Sequence, residues 1–447
     1  MMRRSRTTLS GLIGLILVSS LACGPAKDAA KPGPVKVELK TEHGKSRLFV
    51  DGKPFYIRGA GLEFGDFRSL AAHGGNAFRT WRTDNGRLTG EQVLDSAYAN
   101  GLYVSMGLEI ARERAGAGRG VFGFDYDDEV AVASQRERVR KEVLRLKDSP
   151  ALIIWGIGNE LNLGAGNPRV WDAVNDLSKM IHELDPNHLT TTMLAGINKD
   201  LADEIRTRAP DLDLISIQMY ADIVNLPRYL REIGWDRPYM ITEWGATGHW
   251  EVPKTPWGAP IENNSSVKAD FYRERYEEAI ASDSLRCVGS FVFLWGQKQE
   301  RTPTWYGLFL QNGDETESID VMQYLWTGTW PLNRSPRLEK TTIDGKTAHD
   351  GIRLRAGQPA EAIVRASDLD GDSLRYHWEI RPESTDLGEG GDDERIPDVV
   401  AGRIASPDAP ETQFTTPEDS GAYRLFVYVY DGMGHAAHAN VPFFVDP

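Results

Sequence analysis

The sequence predicts an α/β protein, a (β/α)8 TIM barrel followed by an all-β, Ig-like sandwich domain. Three observations carry this reading. Apolar strand-like runs alternate with amphipathic helical stretches eight times between residues 54 and about 330, a span close to the ~250 residues usual for such a barrel. After Trp330-Pro331-Leu332-Asn333-Arg334 the helical signals stop and short alternating strands take over. Composition changes at the same place: eleven of the 12 tryptophans precede residue 335, whereas 335–447 holds 11 Lys+Arg against 21 Asp+Glu, −10 of the chain's −14. A chain this acidic lacks the basic stripe that nucleic acid requires. Because the excess sits in the second domain, it says little about what the barrel takes.

The N-terminus reads as an address. Arg3, Arg4 and Arg6 precede an apolar run over 9–18, then Ser19-Ser20-Leu21-Ala22-Cys23. A basic start, a short apolar stretch and small residues describe a secretory signal, and the run is too short to cross a bilayer permanently. Ser-Leu-Ala-Cys resembles a bacterial lipobox, with Ser20 where Leu usually stands. The resemblance implies lipidation of Cys23 and an exported protein held at a membrane by that anchor only. Residues 24–34, rich in Ala, Lys, Gly and Pro, suit a flexible tether. The expected organisation is leader 1–23, tether 24–34, barrel 35–334 and sandwich 335–447. With Cys23 lipidated, Cys287 has no partner. Set in an apolar run, it reads as a small buried thiol and not a nucleophile.

Residues 35–50 form two alternating segments around Glu42-His43-Gly44-Lys45, a hairpin expected to close the bottom of the barrel. The first barrel strand is 54–62, followed by a short helix at 67–72, and the second strand is 76–81. Thr89, with Glu91 and Gln92 in the first turn, opens a helix that Asn100-Gly101 ends. The third strand is 102–110, and helix 127–147 stops before Pro150. The fourth strand, 151–158, is almost wholly apolar, as when both faces are buried. Then come helix 170–184, strands 189–194, 212–220 and 239–244, helix 267–281, an eighth strand at 288–295 and a last helix at 317–326. The structural alternative, an open doubly wound sheet, lacks its usual Gly-rich phosphate loop after the first strand.

In the second domain 352–354, 361–366, 374–380 and 423–430 read as strands. Leu374, Tyr376, Trp378 and Ile380 alternate with Arg375, His377 and Glu379, the pattern of a half-buried strand. The segment 366–372 followed by Tyr376-His377-Trp378 resembles the PKD-like or cadherin-like Ig modules of secreted bacterial enzymes. Asp368, Asp370, Asp372 and Glu379 mimic EF-hand spacing, but Ser373 stands where that loop needs Gly and Glu379 falls in a strand. The turn therefore reads as solvated and acidic, with a sandwich-type Ca²⁺ site as the alternative.

In such barrels the C-terminal ends of the strands build the active site. The fourth strand ends in Trp155-Gly156-Ile157-Gly158-Asn159-Glu160 and the seventh in Ile241-Thr242-Glu243-Trp244-Gly245. A carboxylate placed directly after buried apolar residues needs a partner or a task, because burying unpaired charge is expensive. One alone reads equally well as a strand-end salt bridge; two, on the fourth and seventh strands, point to paired carboxyl chemistry. Carboxyl groups about 5–5.5 Å apart suit retaining glycoside hydrolysis, against roughly 6.5–9.5 Å for inversion. At the shorter distance one pKa rises, so one group stays protonated as an acid.

These motifs resemble the clan of retaining glycoside hydrolases that carry catalytic glutamates on strands four and seven of a barrel, over roughly residues 50–330. The resemblance implies that Glu160 is the acid/base, Glu243 the nucleophile and Asn159 a ligand of the sugar 2-hydroxyl. It further implies that Arg79 supports the nucleophile, that Tyr220 stands beside it, and that Trp295 forms the aromatic floor under the reactive sugar. The run 153–160 is most similar to glycoside hydrolase family 2, which includes β-galactosidases, β-glucuronidases and β-mannosidases. Two features depart from that family. Two β-sandwich domains usually precede its barrel, where about 30 residues follow the leader here, and Arg79-Thr80-Trp81-Arg82 lacks the family's common histidine. Arg-Thr-Trp is similar to family 5 mannanases, and 51–59 to fungal β-1,3-glucan transglycosylases.

Trp244, His249, Trp250, Trp257, Trp305 and Tyr306 gather after the last two strands, where rings either stack on sugars or pack loops. Glu63, Arg82, Asp84 and Glu109, at strand ends, suit either hydroxyl binding or surface salt bridges. No His-x-x-x-His pair or Cys cluster supports a metal, and no cofactor is expected. The expected function is a retaining β-glycoside hydrolase whose partner is a β-linked oligo- or polysaccharide. The alternatives are a β-glucan transglycosylase on the same groups and a non-catalytic glycan-binding lipoprotein.

Overall fold

The computed structural model describes residues 32–113, 123–388, 392 and 394–447. The leader with Cys23 and tether residues 24–31 lie outside them. The described chain opens with an antiparallel sheet of β1 (Val37–Glu42), β2 (Lys45–Val50) and β3 (Lys53–Phe55). Eight parallel strands follow: β4 (Ile57–Gly61), β5 (Ala77–Arg79), β6 (Tyr103–Leu108), β7 (Leu152–Asn159), β8 (Leu189–Ala195), β9 (Ile215–Gln218), β10 (Tyr239–Glu243) and β11 (Cys287–Val292). Each bonds to the next and β11 returns to β4, closing a barrel. The helices between them are α1 (Phe67–Ala72), α2 (Gly90–Ala99), α3 (Glu129–Leu146), α4 (Arg169–Leu184), α5 (Lys199–Arg208), α6 (Leu226–Glu232), α7 (Ser265–Arg275) and α8 (Glu317–Thr327).

Local chemistry explains most of these boundaries. Thr89 and Gln92 form a reciprocal capping box on α2, which satisfies orphan N–H groups of its first turn. Asp128 caps α3 in the same sense. The short helices α5 and α6 were not separate sequence signals: α5 is polar and begins at an Asn198 cap, and α6 is a two-turn segment after a 3-10 turn. The run 288–295, read as one strand, ends as a strand at Val292. Cys287 opens β11 fully enclosed, its thiol pushed up to about 12 by burial.

Val37, Leu48 and Val50 of the hairpin pack on Ile57, Ala77, Ile153, Met240 and Val288 at the starts of the strands. The hairpin is thus a bottom plug, and it leaves chemistry to the opposite end of the barrel.

The C-terminal strands are β13 (Arg337–Ile343), β14 (Arg353–Arg355), β15 (Pro359–Ser367), β16 (Arg375–Pro382), β17 (Glu411–Thr415), β18 (Gly421–Tyr430) and β19 (His435–Asp446), with β12 (Glu315–Thr316) contributed by the barrel. One sheet is β13-β15-β17; the other is β16-β18-β19, to which β12 and β14 add in parallel along β19. Leu338, Val364, Trp378, Ile380, Leu425, Val427 and Phe443 form the core of this two-sheet module. The acidic turn is closed on itself: Asp368 Oδ1 accepts the N–H groups of Asp370, Gly371 and Asp372.

The module is joined to the barrel by more than a linker. Besides the β12–β19 pairing, Arg424 Nη2 donates to the Pro260 carbonyl at 2.7 Å, the His438 N–H to Ser265 Oγ at 3.0 Å and the Leu338 N–H to Ser266 Oγ at 2.9 Å. His438 is enclosed at this junction. Burial, then the nearby Lys268 cation, hold its pKa at about 3, so the folded protein keeps it neutral. An unfolded His binds its proton near 6.5. The stability this difference supplies is therefore complete above about pH 6.5 and is lost as pH falls toward 3, by up to about 1.4 kcal/mol per pH unit. Urea unfolding at pH 4.5, 5.5 and 6.5 should show a shallower pH slope for His438→Gln than for wild type. Equal slopes would mean that His438 is not held neutral.

Candidate active site

Four strand ends, those of β5, β7, β9 and β10, meet at the mouth of the barrel around one carboxylate. Glu243, the last residue of β10, is 6% exposed. Its Oε1 accepts from Arg79 Nη1 at 3.0 Å, Trp81 Nε1 at 3.0 Å and Gln218 Nε2 at 3.1 Å. Its Oε2 accepts from the Tyr220 hydroxyl at 2.8 Å. Arg79, the last residue of β5, is 0% exposed and also donates to the Thr242 carbonyl at 3.1 Å and to Asn159 Oδ1 at 2.8 Å. Burial lowers the Arg79 pKa, and the charges of Glu243 and Glu160 oppose that shift; a guanidinium so placed remains a cation.

Asn159 ends β7. Its side-chain carbonyl accepts from both Arg79 and Gln218 Nε2, the latter at 2.9 Å, which leaves its NH₂ as the donor end. The β7–β8 register shifts between Gly156 and Asn159, and such irregularities re-aim side chains at strand ends. Glu160 follows at φ +53°, a left-handed conformation that costs a side chain on the order of 1–3 kcal/mol and is kept only where neighbours impose it. Here its N–H donates to the Met193 carbonyl and its carbonyl accepts from the Leu163 N–H. Glu160 acts through its charge on both Arg79 and Tyr220. Burial and then the Glu243 charge push the Tyr220 phenol well above its usual value, so Tyr220 is a neutral donor.

The structure thus brings together Arg79, Asn159, Tyr220 and Glu243 by direct hydrogen bonds, with Glu160 adjoining them electrostatically. It does not bring Trp295. That ring is 0% exposed and stacks on Trp326 at 5.7 Å, with His73 and Phe309 around it. A ring covered on all sides offers no face to a sugar. Because β11 ends at Val292, the aromatic at the strand end is Phe293, edge-on to Trp81 at 5.8 Å and to Tyr220 at 6.0 Å.

Two residues at the site, Trp81 and Gln218, were not singled out from sequence. The polar alternation Ser216, Gln218, Tyr220 within an apolar strand was the available signal for Gln218. Trp81 needs room made by glycine: a Cβ at Gly107 would lie 2.5 Å from the Trp81 backbone, and one at Gly61 2.8 Å from its ring.

The flanking aromatics divide. Trp250 is 56% exposed and edge-on to Tyr220 at 5.4 Å, an open ring at the mouth. Trp244 is buried against Tyr272 and Tyr276, Trp257 packs on Phe444 of the β-module, and Trp305 Nε1 donates to the Thr247 carbonyl. Among the strand-end charges, Arg82 pairs with Glu63 and Asp84 with Arg145.

Residues 62–250, which include Arg79, Asn159, Glu160, Tyr220 and Glu243, match the family model described as glycosyl hydrolases family 2, TIM barrel domain. Among solved structures, a Bacteroides uniformis β-glucuronidase is similar at 13% identity and TM-score 0.50, covering 92% of this chain and 48% of its own. The B. uniformis β-glucuronidase 2 covalently bound to cyclophellitol-6-carboxylate aziridine aligns at 14% identity and TM-score 0.51, with 92% and 48% covered. A Bifidobacterium dentium β-glucuronidase complexed with coumarin-3-O-glucuronide aligns at 18% identity and TM-score 0.50, over 66% of this chain and 49% of that one. At these identities the likeness is one of fold, and the chain spans about half the length of the structures it matches. No curated protein matches the sequence.

Removing one member of a buried ion pair strands the other, at a cost of about 3–5 kcal/mol. Arg79→Met should therefore lower the urea unfolding free energy at neutral pH by about that much. A loss below about 1 kcal/mol would show that the cation does not hold Glu243.

Proposed function

We propose that the chain, whose residues 62–250 match the model of the TIM barrel domain of glycosyl hydrolases family 2, is a retaining β-glycoside hydrolase that works by double displacement through Glu160 and Glu243. The observation that carries this reading is the unequal hydrogen bonding of the two Glu243 oxygens. Oε1 is occupied by three donors, which anchor the carboxylate, while among the described residues Oε2 meets only the Tyr220 hydroxyl and keeps lone-pair density for an anomeric carbon. Arg79 favours the ionised form by direct charge pairing.

The steps follow from these positions. Glu160, protonated, delivers its proton to the leaving glycosidic oxygen as that C–O bond breaks, while Glu243 Oε2 bonds to the anomeric carbon and forms a glycosyl ester. Glu160, now a carboxylate, takes a proton from water as the water oxygen attacks the same carbon, which releases the sugar and restores both groups. The Asn159 NH₂, oriented by the two bonds to its carbonyl, is placed to donate to a hydroxyl next to the reacting carbon. The half-exposed Trp250 ring supplies an apolar face at the mouth, where a leaving group would lie.

The test is turnover on 4-nitrophenyl β-D-glucuronide, galactoside, mannoside and glucoside, the glucuronide first because the similar solved structures bear that name. At least one should be cleaved, and Glu160→Ala and Glu243→Ala should each lower kcat by about 10³-fold or more. Near-normal turnover in Glu243→Ala would remove it as the nucleophile.

A further inference from the structure

A carboxylate away from the mouth repeats the arrangement around Glu243. Glu262, on the segment before α7, is buried, and its Oε1 accepts from Lys268 Nζ at 2.5 Å and Thr304 Oγ1 at 2.9 Å. Its Oε2 accepts from Thr302 Oγ1 at 2.5 Å and from Asn440 Nδ2 of the β-module at 2.5 Å. Burial pushes this carboxyl up, but Lys268 and the hydroxyl donors outweigh burial and hold it at about 2, so it stays charged. Asn440 is oriented in turn by Arg424 Nη1, which donates to Asn440 Oδ1 at 2.8 Å, and Arg424 is bound to Glu383 and to the Pro260 carbonyl. Three groups from the loop after β11 thus end at this charge cluster, since Lys268 Nζ also donates to the Thr304 carbonyl at 2.6 Å.

That loop forms a wall of the candidate site. Next to Thr304, Trp305 Nε1 donates to the Thr247 carbonyl at 2.9 Å, and the Tyr306 hydroxyl accepts from the His249 N–H at 3.1 Å. The Tyr306 ring packs on Tyr220 at 5.6 Å and on Phe293 at 5.7 Å. Tyr220 is the residue whose hydroxyl meets Glu243 Oε2. A continuous path of contacts therefore runs from Asn440 through Glu262, Thr302 and Thr304 to Tyr306, Tyr220 and the reacting oxygen. The module also holds the loop at Arg301, whose N–H donates to Glu394 Oε2 at 2.6 Å.

We propose that Glu262, fastened by Asn440 of the β-module, is a positioning residue for the glycosidase site: it sets the 302–306 loop, so that Tyr306 backs Tyr220 against Glu243. This rests on the function proposed above, and it makes the C-terminal module a part of the catalytic scaffold. Reacting groups displaced by about 1 Å cost as much as 10²-fold in rate, whereas the substrate contact proposed at Asn159, held by Arg79 and Gln218, lies off this path.

The experiment compares Asn440→Ala and the double variant Thr302→Val/Thr304→Val with Thr302→Ser/Thr304→Ser in the full-length protein. Kinetics are measured on a cleaved aryl glycoside at a temperature where circular dichroism shows each variant fully folded. Asn440→Ala and the valine pair should lose about 10- to 100-fold in kcat with KM changed less than about threefold, while the serine pair keeps wild-type kcat. Hydrogen exchange of the peptide over 302–308 should quicken in the first two and not in the third. Wild-type kcat in Asn440→Ala and in the valine pair, or a serine pair as slow as the valine pair, would overturn the proposal. A wild-type protein inert on every glycoside would instead defeat the proposed function, and the exchange arm would then decide the coupling: unchanged exchange in Asn440→Ala overturns it.

Discussion

An ion pair almost without water, Arg79 with Glu243, is the constraint that organises the mouth of this barrel. Two charges taken out of solvent are tolerable only when most of their remaining donors and acceptors are met, and here Arg79 Nε is left without a partner among the described residues while both of its Nη atoms are bonded. Arg79 is completely enclosed, and β5, β7, β9 and β10 each supply a group that its charge or that of Glu243 needs. Gln218 bridges Asn159 and Glu243, so the pair, the amide and the carboxamide form one network. The glycines at 61 and 107 serve the same end, since they let Trp81 approach closely enough to donate its indole N–H.

The consequence for chemistry is that the two oxygens of Glu243 are unequal. An anchored oxygen and one with a single hydrogen bond from the described residues describe a carboxylate whose position is fixed while lone pairs on Oε2 stay open, as the proposed nucleophile requires. The strained backbone of Glu160 belongs to the same picture. A left-handed glutamate at the end of β7 places its side chain where an extended residue would not, and backbone hydrogen bonds on both sides maintain it. The same physics operates at the junction with the β-module, where Glu262 is buried and fully bonded. The shared edge of β12 and β19 makes barrel and module one hydrogen-bonded unit.

Much of this was legible in the sequence because it rests on local pattern. Strand–helix alternation revealed the barrel, the Thr89–Gln92 cap marked α2, and carboxylates directly after apolar strands marked Glu160 and Glu243, whereas Arg79, Asn159 and Tyr220 were named only through the resemblance to the retaining glycoside hydrolase clan. Trp295 was misplaced for a physical reason. The apolar run 291–295 has no internal break where the strand ends at Val292, and periodicity does not distinguish a strand from a buried loop that continues it. The strand stops three residues before Trp295, which puts Phe293 at the strand end and Trp295 in the outer core. Gln218 and Trp81 escaped notice because their importance comes from the donor count around Glu243, which only the assembled mouth displays. The Asn440–Glu262 bond joins residues 178 positions apart, and no local pattern in one sequence records such a pairing.

The central claim is that Glu243, held by Arg79 and offering Oε2, becomes covalently attached to the sugar. Peptide mapping by mass spectrometry after incubation with an activated 2-deoxy-2-fluoro glycoside of the sugar that the protein cleaves tests this most directly. The account predicts a mass increase of one fluorosugar, carried by the peptide that contains Glu243. The same increase on a peptide containing Glu160, or inhibition with no covalent attachment, would contradict it.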